Sequence, residues 1–268
     1  MWDFDHEPGK SRMAERYSIH LTTPANCADE LLRGTADIGL VPVAAYAANP
    51  SLAIVPGCAI ASLDRVRSIL LVVRAAQGVR GVRRVALDTS SRTSATYARL
   101  LFCKYWNVNA DYIEHAPDLE AMLKVADAVM LIGDPALFAL EDAAAREERT
   151  GERLQYLDLA HEWRKLTGVP WVSAFWAVRP ESLDRSGMTA AQLVDDFQRS
   201  RDNGMAHVED LVAEWSQKMK LPAATVRAYL TENIHYVLDD ACLAGLELFY
   251  RYAAECGVLP AAPQLRFL

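Results

Sequence analysis

The residues with the clearest chemical potential form one string. Val85-Ala86-Leu87-Asp88 has the pattern of a buried strand and runs directly into Thr89-Ser90-Ser91-Arg92-Thr93-Ser94, where a helix begins. Short hydroxyl side chains at a helix start sit beside unpaired backbone N–H groups and the positive end of the helix dipole. The string therefore has the make-up of a clamp for a carboxylate or phosphate, and Arg92 can add a two-pronged guanidinium contact. The same residues also make an ordinary N-cap that uses one serine and leaves Arg92 in solvent, and spacing alone leaves both readings open. A second string, Met130 to Leu137, ends an apolar strand in Gly133-Asp134-Pro135. In a doubly wound sheet the mouth of such a turn opens on the same cleft. Asp134 either orients Arg92 or a ligand there, or caps the helix that follows Pro135.

Other reactive side chains are dispersed. His6, His20, His115, His161, His207 and His235 include no pair at metal-ligand spacing, so no metal is expected. Cys27, Cys58, Cys103, Cys242 and Cys256 are odd in number and contain no CxxC, which points away from a disulfide framework and toward a reducing compartment. No GxGxxG, P-loop or GxSxG string occurs, which argues against a dinucleotide enzyme, an NTPase or a serine hydrolase. A net charge of -7 is wrong for a phosphate-backbone partner, so no nucleic acid is expected and a small molecule is. Met1 to His6 lacks a basic, apolar leader pattern. The longest apolar run, Ile69 to Val73, is far too short to cross a bilayer, so the expectation is a cytoplasmic protein with no membrane partner. Asp195-Asp196 and Asp239-Asp240 read as solvated helix faces, and Trp163, Trp171 and Trp176 as core.

The elements that must position these groups alternate between helix and strand, which is the mark of an α/β protein. Strands are expected over Ser18–Leu21, Ala53–Pro56, Arg67–Val73, Arg83–Asp88, Asp111–His115, Ala128–Ile132 and Leu154–Leu159. Helices are expected from Pro24 to Gly34, Thr93 to Trp106 and Leu119 to Lys124, and almost continuously beyond Thr189. The aperiodic, glycine-bearing stretch from Arg74 to Gly81 reads as a linker, and Val172–Val178 as the return crossing. The implied layout is a discontinuous first lobe over 1–75 and 176–268 and a second lobe over 76–175.

Taken together, the strings resemble the chorismate dehydratase family of the futalosine route to menaquinone. The matching segments are Pro24 to Ala28 with Leu31, Gly34 and DIGLVPVAAY over Asp37–Tyr46; VALDTSSRTS over Val85–Ser94; LIGDPAL over Leu131–Leu137; and Asp158-Leu159, Glu162-Trp163 and Thr167 to Pro170. The resemblance covers roughly residues 1 to 180. It implies a two-lobed periplasmic-binding-protein-like fold of type II, with a ligand cleft between the lobes. It also implies conversion of chorismate to 3-enolpyruvylbenzoate and water without a cofactor. Ser90, Ser91, Arg92, Thr93, Ser94, Asp134, Pro42 and Val43 are then the substrate-binding residues, with the catalytic residue unassigned. Family members open with a strand and a Ser-Tyr-Leu-Asn string before a segment like Trp2-Asp3-Phe4. That opening is missing here, so the expectation is a late-assigned start or a truncation, with the first lobe short of one strand and the site short of one asparagine. The alternatives are a non-catalytic binder of an aromatic or dicarboxylic acid, since this scaffold serves both roles, and the sister 1,4-dihydroxy-6-naphthoate synthase.

Overall fold

Eight strands sort into two sheets in the computed structural model, which describes residues 1–268. The strands are β1 (Ile38–Pro42), β2 (Ala53–Ser62), β3 (Ile69–Arg74), β4 (Arg84–Asp88), β5 (Asp111–His115), β6 (Ala128–Ile132), β7 (Leu154–Asp158) and β8 (Trp171–Val178). One sheet has the order β1-β8-β2, with both outer strands antiparallel to β8. The other has the order β5-β4-β6-β3-β7; β4 runs parallel to β5 and β6, and β3 antiparallel to β6 and β7.

The strand β3 departs from the expected layout, for it lies inside the five-stranded sheet instead of closing the first. An uninterrupted Ile69-Leu70-Leu71-Val72-Val73 run is apolar on both faces, and only an interior strand between two neighbours and two layers can bury it. All five of these side chains are buried. Leu70 and Val72 face a cluster with Met122, Leu123, Val129 and Leu131, while Leu71 and Val73 face the main core, as the two-residue period of a strand requires. The chain therefore passes between the sheets at 63–68 and not at Arg74 to Gly81, where the glycines form only a turn and a short 3-10 helix, Val79–Gly81. It returns through the helix Leu159–Thr167, and β8, expected as the return strand, joins the three-stranded sheet.

Ser18–Leu21 forms no strand. The segment is extended coil, with Ile19 and Leu21 exposed, so its alternating pattern finds no neighbour to pair with. The expected helices form over Pro24–Arg33, Arg92–Leu101 and Leu119–Val125. Past Thr189 the helices are Ala190–Ala206, Val208–Met219, Ala223–Ala228 and Asp240–Glu255, and the break after the first falls at His207.

A single apolar cluster of 37 residues joins the two sheets. At its centre Tyr97 stacks on Trp171 at 3.6 Å and meets Trp163 edge-on at 4.9 Å, with Phe249 at 4.3 Å. Trp163 and Trp171 are core, as expected, whereas Trp176 is half-buried and lies edge-on to Phe197 across the other face of the three-stranded sheet. Asp196, expected to be solvated, is buried and holds Arg16 and Tyr17.

Candidate functional site

The helix Arg92–Leu101 begins where β4 ends, so its first turn stands at the carboxyl edge of the five-stranded sheet. Ser91 is the N-cap: its hydroxyl oxygen accepts from the Ser94 amide at 3.1 Å, and its hydroxyl donates to Ser94 Oγ at 3.1 Å. No protein acceptor meets the Arg92 and Thr93 amides, which leaves two N–H donors free at the positive end of the helix. Ser90 and Ser91 are half-exposed, and Thr93 and Ser94 are buried. The capping role and the open anion cradle therefore coexist in one turn.

Asp88 organises this turn. Its Oδ1 accepts from the Ser90 amide at 2.9 Å and from the Ser90 hydroxyl, while Oδ2 accepts from the Ile132 amide at 3.2 Å. Only 2% of Asp88 is exposed, and it ties the ends of β4 and β6 together. The signal for this role in the sequence is an Asp two residues before a Ser in a turn.

The three-stranded sheet contributes the turn after β1. Val43–Tyr46 form one helical turn, whose Ala44 amide donates to Thr93 Oγ1 at 3.2 Å in a buried contact. Pro42 and Val43 are buried, and the Val43 carbonyl accepts from Tyr250 Oη at 2.7 Å. The structure thus brings Ala44, the residue after Pro42 and Val43, against Thr93 of the Ser90–Ser94 turn.

Arg92 points elsewhere. Its side chain is 62% exposed, with Nη1 3.8 Å from Asp29 Oδ1 on the helix Pro24–Arg33, so the guanidinium stands at the rim of the turn. Asp134 is exposed and lies in the first turn of the helix Gly133–Glu141, where it makes no capping bond. Its neighbour is Tyr229, which sits at the start of a π turn, Tyr229–Asn233, and donates to Ser68 Oγ at 3.0 Å. Burial raises the Tyr229 phenol and the Asp134 carboxylate adds to it, so the group stays a neutral hydrogen-bond donor. Ser68 also accepts from the Gly133 amide through its carbonyl at 2.7 Å, so crossing, second string and π turn meet at one point. Neither Tyr229 nor Ser68 could be found from the sequence, because their proximity depends on where the chain crosses.

Two side-chain groups have metal-ligand composition. His235, Asp239 and Cys242 place ligand atoms within 4.8 Å of one another, as do Asp5, His6 and Glu214. The first group is the start of the helix Asp240–Glu255. Asp239 Oδ1 caps the Cys242 amide, His235 Nε2 bonds Asp239 Oδ2 at 2.8 Å, and burial pushes the Cys242 thiol up to about 12. A positive helix end and a protonated thiol both disfavour a cation there. Two surface hollows, one lined by Leu31, Asn49, Arg179 and Glu181 and one by Leu243, Glu247, Gln264 and Phe267, touch none of the residues of the serine-rich turn. No helix is long and apolar enough to cross a membrane.

Comparison with known proteins matches this arrangement to a family. A family model described as menaquinone biosynthesis matches residues 2–255. The chorismate dehydratase of Thermus thermophilus is 30% identical over 258 residues, covering 93% of this chain and 90% of the relative. Among solved structures, a protein from Archaeoglobus fulgidus superposes with a TM-score of 0.69 at 15% identity, covering 96% of this chain and 93% of that one. The periplasmic aliphatic sulphonate binding protein of Escherichia coli gives 0.59 at 14% identity, covering 93% and 82%. These likenesses establish the fold, a two-lobed binding-protein scaffold of type II.

Proposed function

The chain belongs to the menaquinone biosynthesis family, and from that premise we propose that it is a chorismate dehydratase, a hydro-lyase acting in the cytoplasm on the futalosine route. The observation that carries the reading is the 30% identity to a chorismate dehydratase along nearly the whole of both chains. Chorismate is a dicarboxylate, and the Ser90–Ser94 turn offers two free amides, short hydroxyls and a rim guanidinium for one carboxylate.

Dehydration removes the ring hydroxyl and the hydrogen on the adjacent ring carbon and leaves an aromatic ring plus water. Aromatisation supplies much of the driving force, so the protein's work is to hold the ring and route one proton. Asp88 is a poor base, since both its oxygens already accept hydrogen bonds, and the turn holds no histidine. A carboxylate of the substrate itself, held next to the ring C–H, takes the proton in this reading. Ser90 to Ser94, with Pro42 and Val43 as the facing wall, bind and orient, and Asp134 stands at the far edge.

The test is to mix protein with chorismate and follow loss of the diene absorbance together with product mass. Loss of absorbance with a product lighter by one water is the expected result. Tight binding without turnover would replace the proposal with a binding protein. Arg92→Lys is expected to weaken binding by about 1.5 to 3 kcal/mol, because an ammonium cannot make the paired contact of a guanidinium; unchanged affinity and turnover would remove Arg92 from the clamp.

A further inference from the structure

The far end of the same helix meets the end of the last helix on the molecular surface. Helix Arg92–Leu101 winds into a π turn, Phe102–Trp106, which lies beside the C-terminal turn of Asp240–Glu255. Lys104 Nζ is 2.7 Å from Glu255 Oε2 and 5.1 Å from the centre of the Tyr252 ring, so an ion pair and a cation–π contact hold the two segments together. Each segment carries one cysteine next to that ion pair. Cys103 precedes Lys104, Cys256 follows Glu255, and both thiols lie near enough to Lys104, and Cys103 near enough to Cys256, to act on one another's charge. Cys103 is exposed and Cys256 half-buried, whereas Cys58 and Cys242 are buried.

We propose that Cys103 and Cys256 form an oxidative modification site, which hydrogen peroxide converts into a disulfide joining the π turn to the end of the last helix. The exposed Cys103 thiolate attacks one peroxide oxygen and breaks the O–O bond; the second oxygen leaves as hydroxide and is protonated to water, and Cys103 becomes a sulfenic acid. Cys256, deprotonated, then attacks the Cys103 sulfur and displaces hydroxide, which takes a proton and leaves as a second water. Two thiols lose two electrons and two protons, and one peroxide gives two waters. The division of labour follows from burial. Cys256 is pushed up to about 12 by its burial and by the neighbouring Cys103 thiol, so it waits protonated, and the exposed thiol reacts first. Sulfenic acid formation removes the Cys103 thiol from that balance, while the Lys104 ammonium, which favours the thiolate, stays in place.

The experiment needs no assumption about the reaction catalysed. The full chain is treated with hydrogen peroxide, free thiols are alkylated, and the digest is mapped by mass. A peptide pair linked through Cys103 and Cys256 is expected, reversed by dithiothreitol, with a melting temperature roughly 5 °C above that of the reduced protein because a very long loop is closed. Cys256→Ser should leave Cys103 as a sulfenic acid that dimedone traps, with no rise in melting temperature. Free alkylated Cys103 and Cys256 after peroxide, a dimer linked through Cys103, or linkage to any other cysteine would overturn the proposal.

Discussion

The two lobes hold their chains together by different means. In the five-stranded lobe the site is made from strand ends and the turns that follow them: Asp88, Ser90 and Ser91 lie within four residues of one another and bond locally. The three-stranded lobe is held by partners far apart in sequence. Asp3 accepts from Asn203 and Arg12 and its amide donates to Ser200, while Asp196 holds Arg16 and Tyr17. A lobe assembled from local turns presents its chemistry in any short stretch of sequence. One assembled from distant polar pairs does not, and its N-terminal segment depends on a few buried carboxylates.

The largest effect tests whether the lobes are energetically separate at all. Trp163→Ala removes a fully buried side chain from the core that both sheets share and is expected to cost about 3 to 5 kcal/mol. A single melting transition moved down as a whole is expected by calorimetry; two resolved transitions would mean that the lobes unfold independently. Asp196→Ala strands Arg16 and Tyr17, and since Arg16 is one-third exposed the expected cost is about 2 to 3 kcal/mol. Amide exchange should quicken over residues 2–17 and stay unchanged in β3 to β6; uniform quickening would break the contrast.

The five-stranded lobe has its own ionic device. Arg146 is buried between Glu120 and Glu152, and its hydrogen bond holds the Glu152 carboxyl below the usual carboxylate range. A depressed folded value contributes stability that is present above the unfolded value of about 4.5 and is lost as pH falls through the lower folded one. Arg146→Met is expected to cost about 1 to 2 kcal/mol near neutrality, because Glu120 is exposed and Glu152 about one-third exposed, and to flatten the loss of stability below pH ~4 in an acid titration. An unaltered acid limb in the variant would rule this pair out as its cause. The smallest effect is local: Ser91→Ala loses the cap and about 1 kcal/mol, and under the proposed function it weakens chorismate binding with little further change in stability. Unaltered affinity by calorimetry would detach the cap from the ligand.

Much of the serine-rich turn was legible because its parts are contiguous. The strand, the cap and the helix from Arg92 follow from hydroxyl spacing and apolar pattern, whereas the bond from the Ala44 amide to Thr93 joins separate parts of the chain and has no local signature. The crossing was misplaced because glycines at 78 and 81 resemble a linker, while the true crossing at 63–68 is built on Arg67, a non-glycine residue at φ 62° whose amide donates to Asp158 Oδ2 at 2.7 Å. That bond is long-range and leaves no local pattern. Ser18–Leu21 misled in the opposite sense, since alternation proposes a strand but only a neighbouring strand makes one. Of the two readings open for Asp134, the cap is the one the structure removes: Asp-Pro is an ordinary helix start, but this helix begins two residues before Pro135, at Gly133 with φ 61°, and Asp134 lies inside its first turn.

Tyr97 ends the three-stranded sheet from outside it. Its hydroxyl donates to the Val172 carbonyl at 3.2 Å and accepts from the Val172 amide at 3.3 Å, on β8 beyond the last β1 partner, Ala174. One phenol supplies both halves of a missing strand neighbour. In solvent-exchange terms, the protection of the Val172 amide is then set by a helix residue in the other lobe. Deuterium uptake at this one position reports how firmly the helix capped by Ser91 is seated, and it gives a clock for separation of the lobes that needs no attached probe and no ligand.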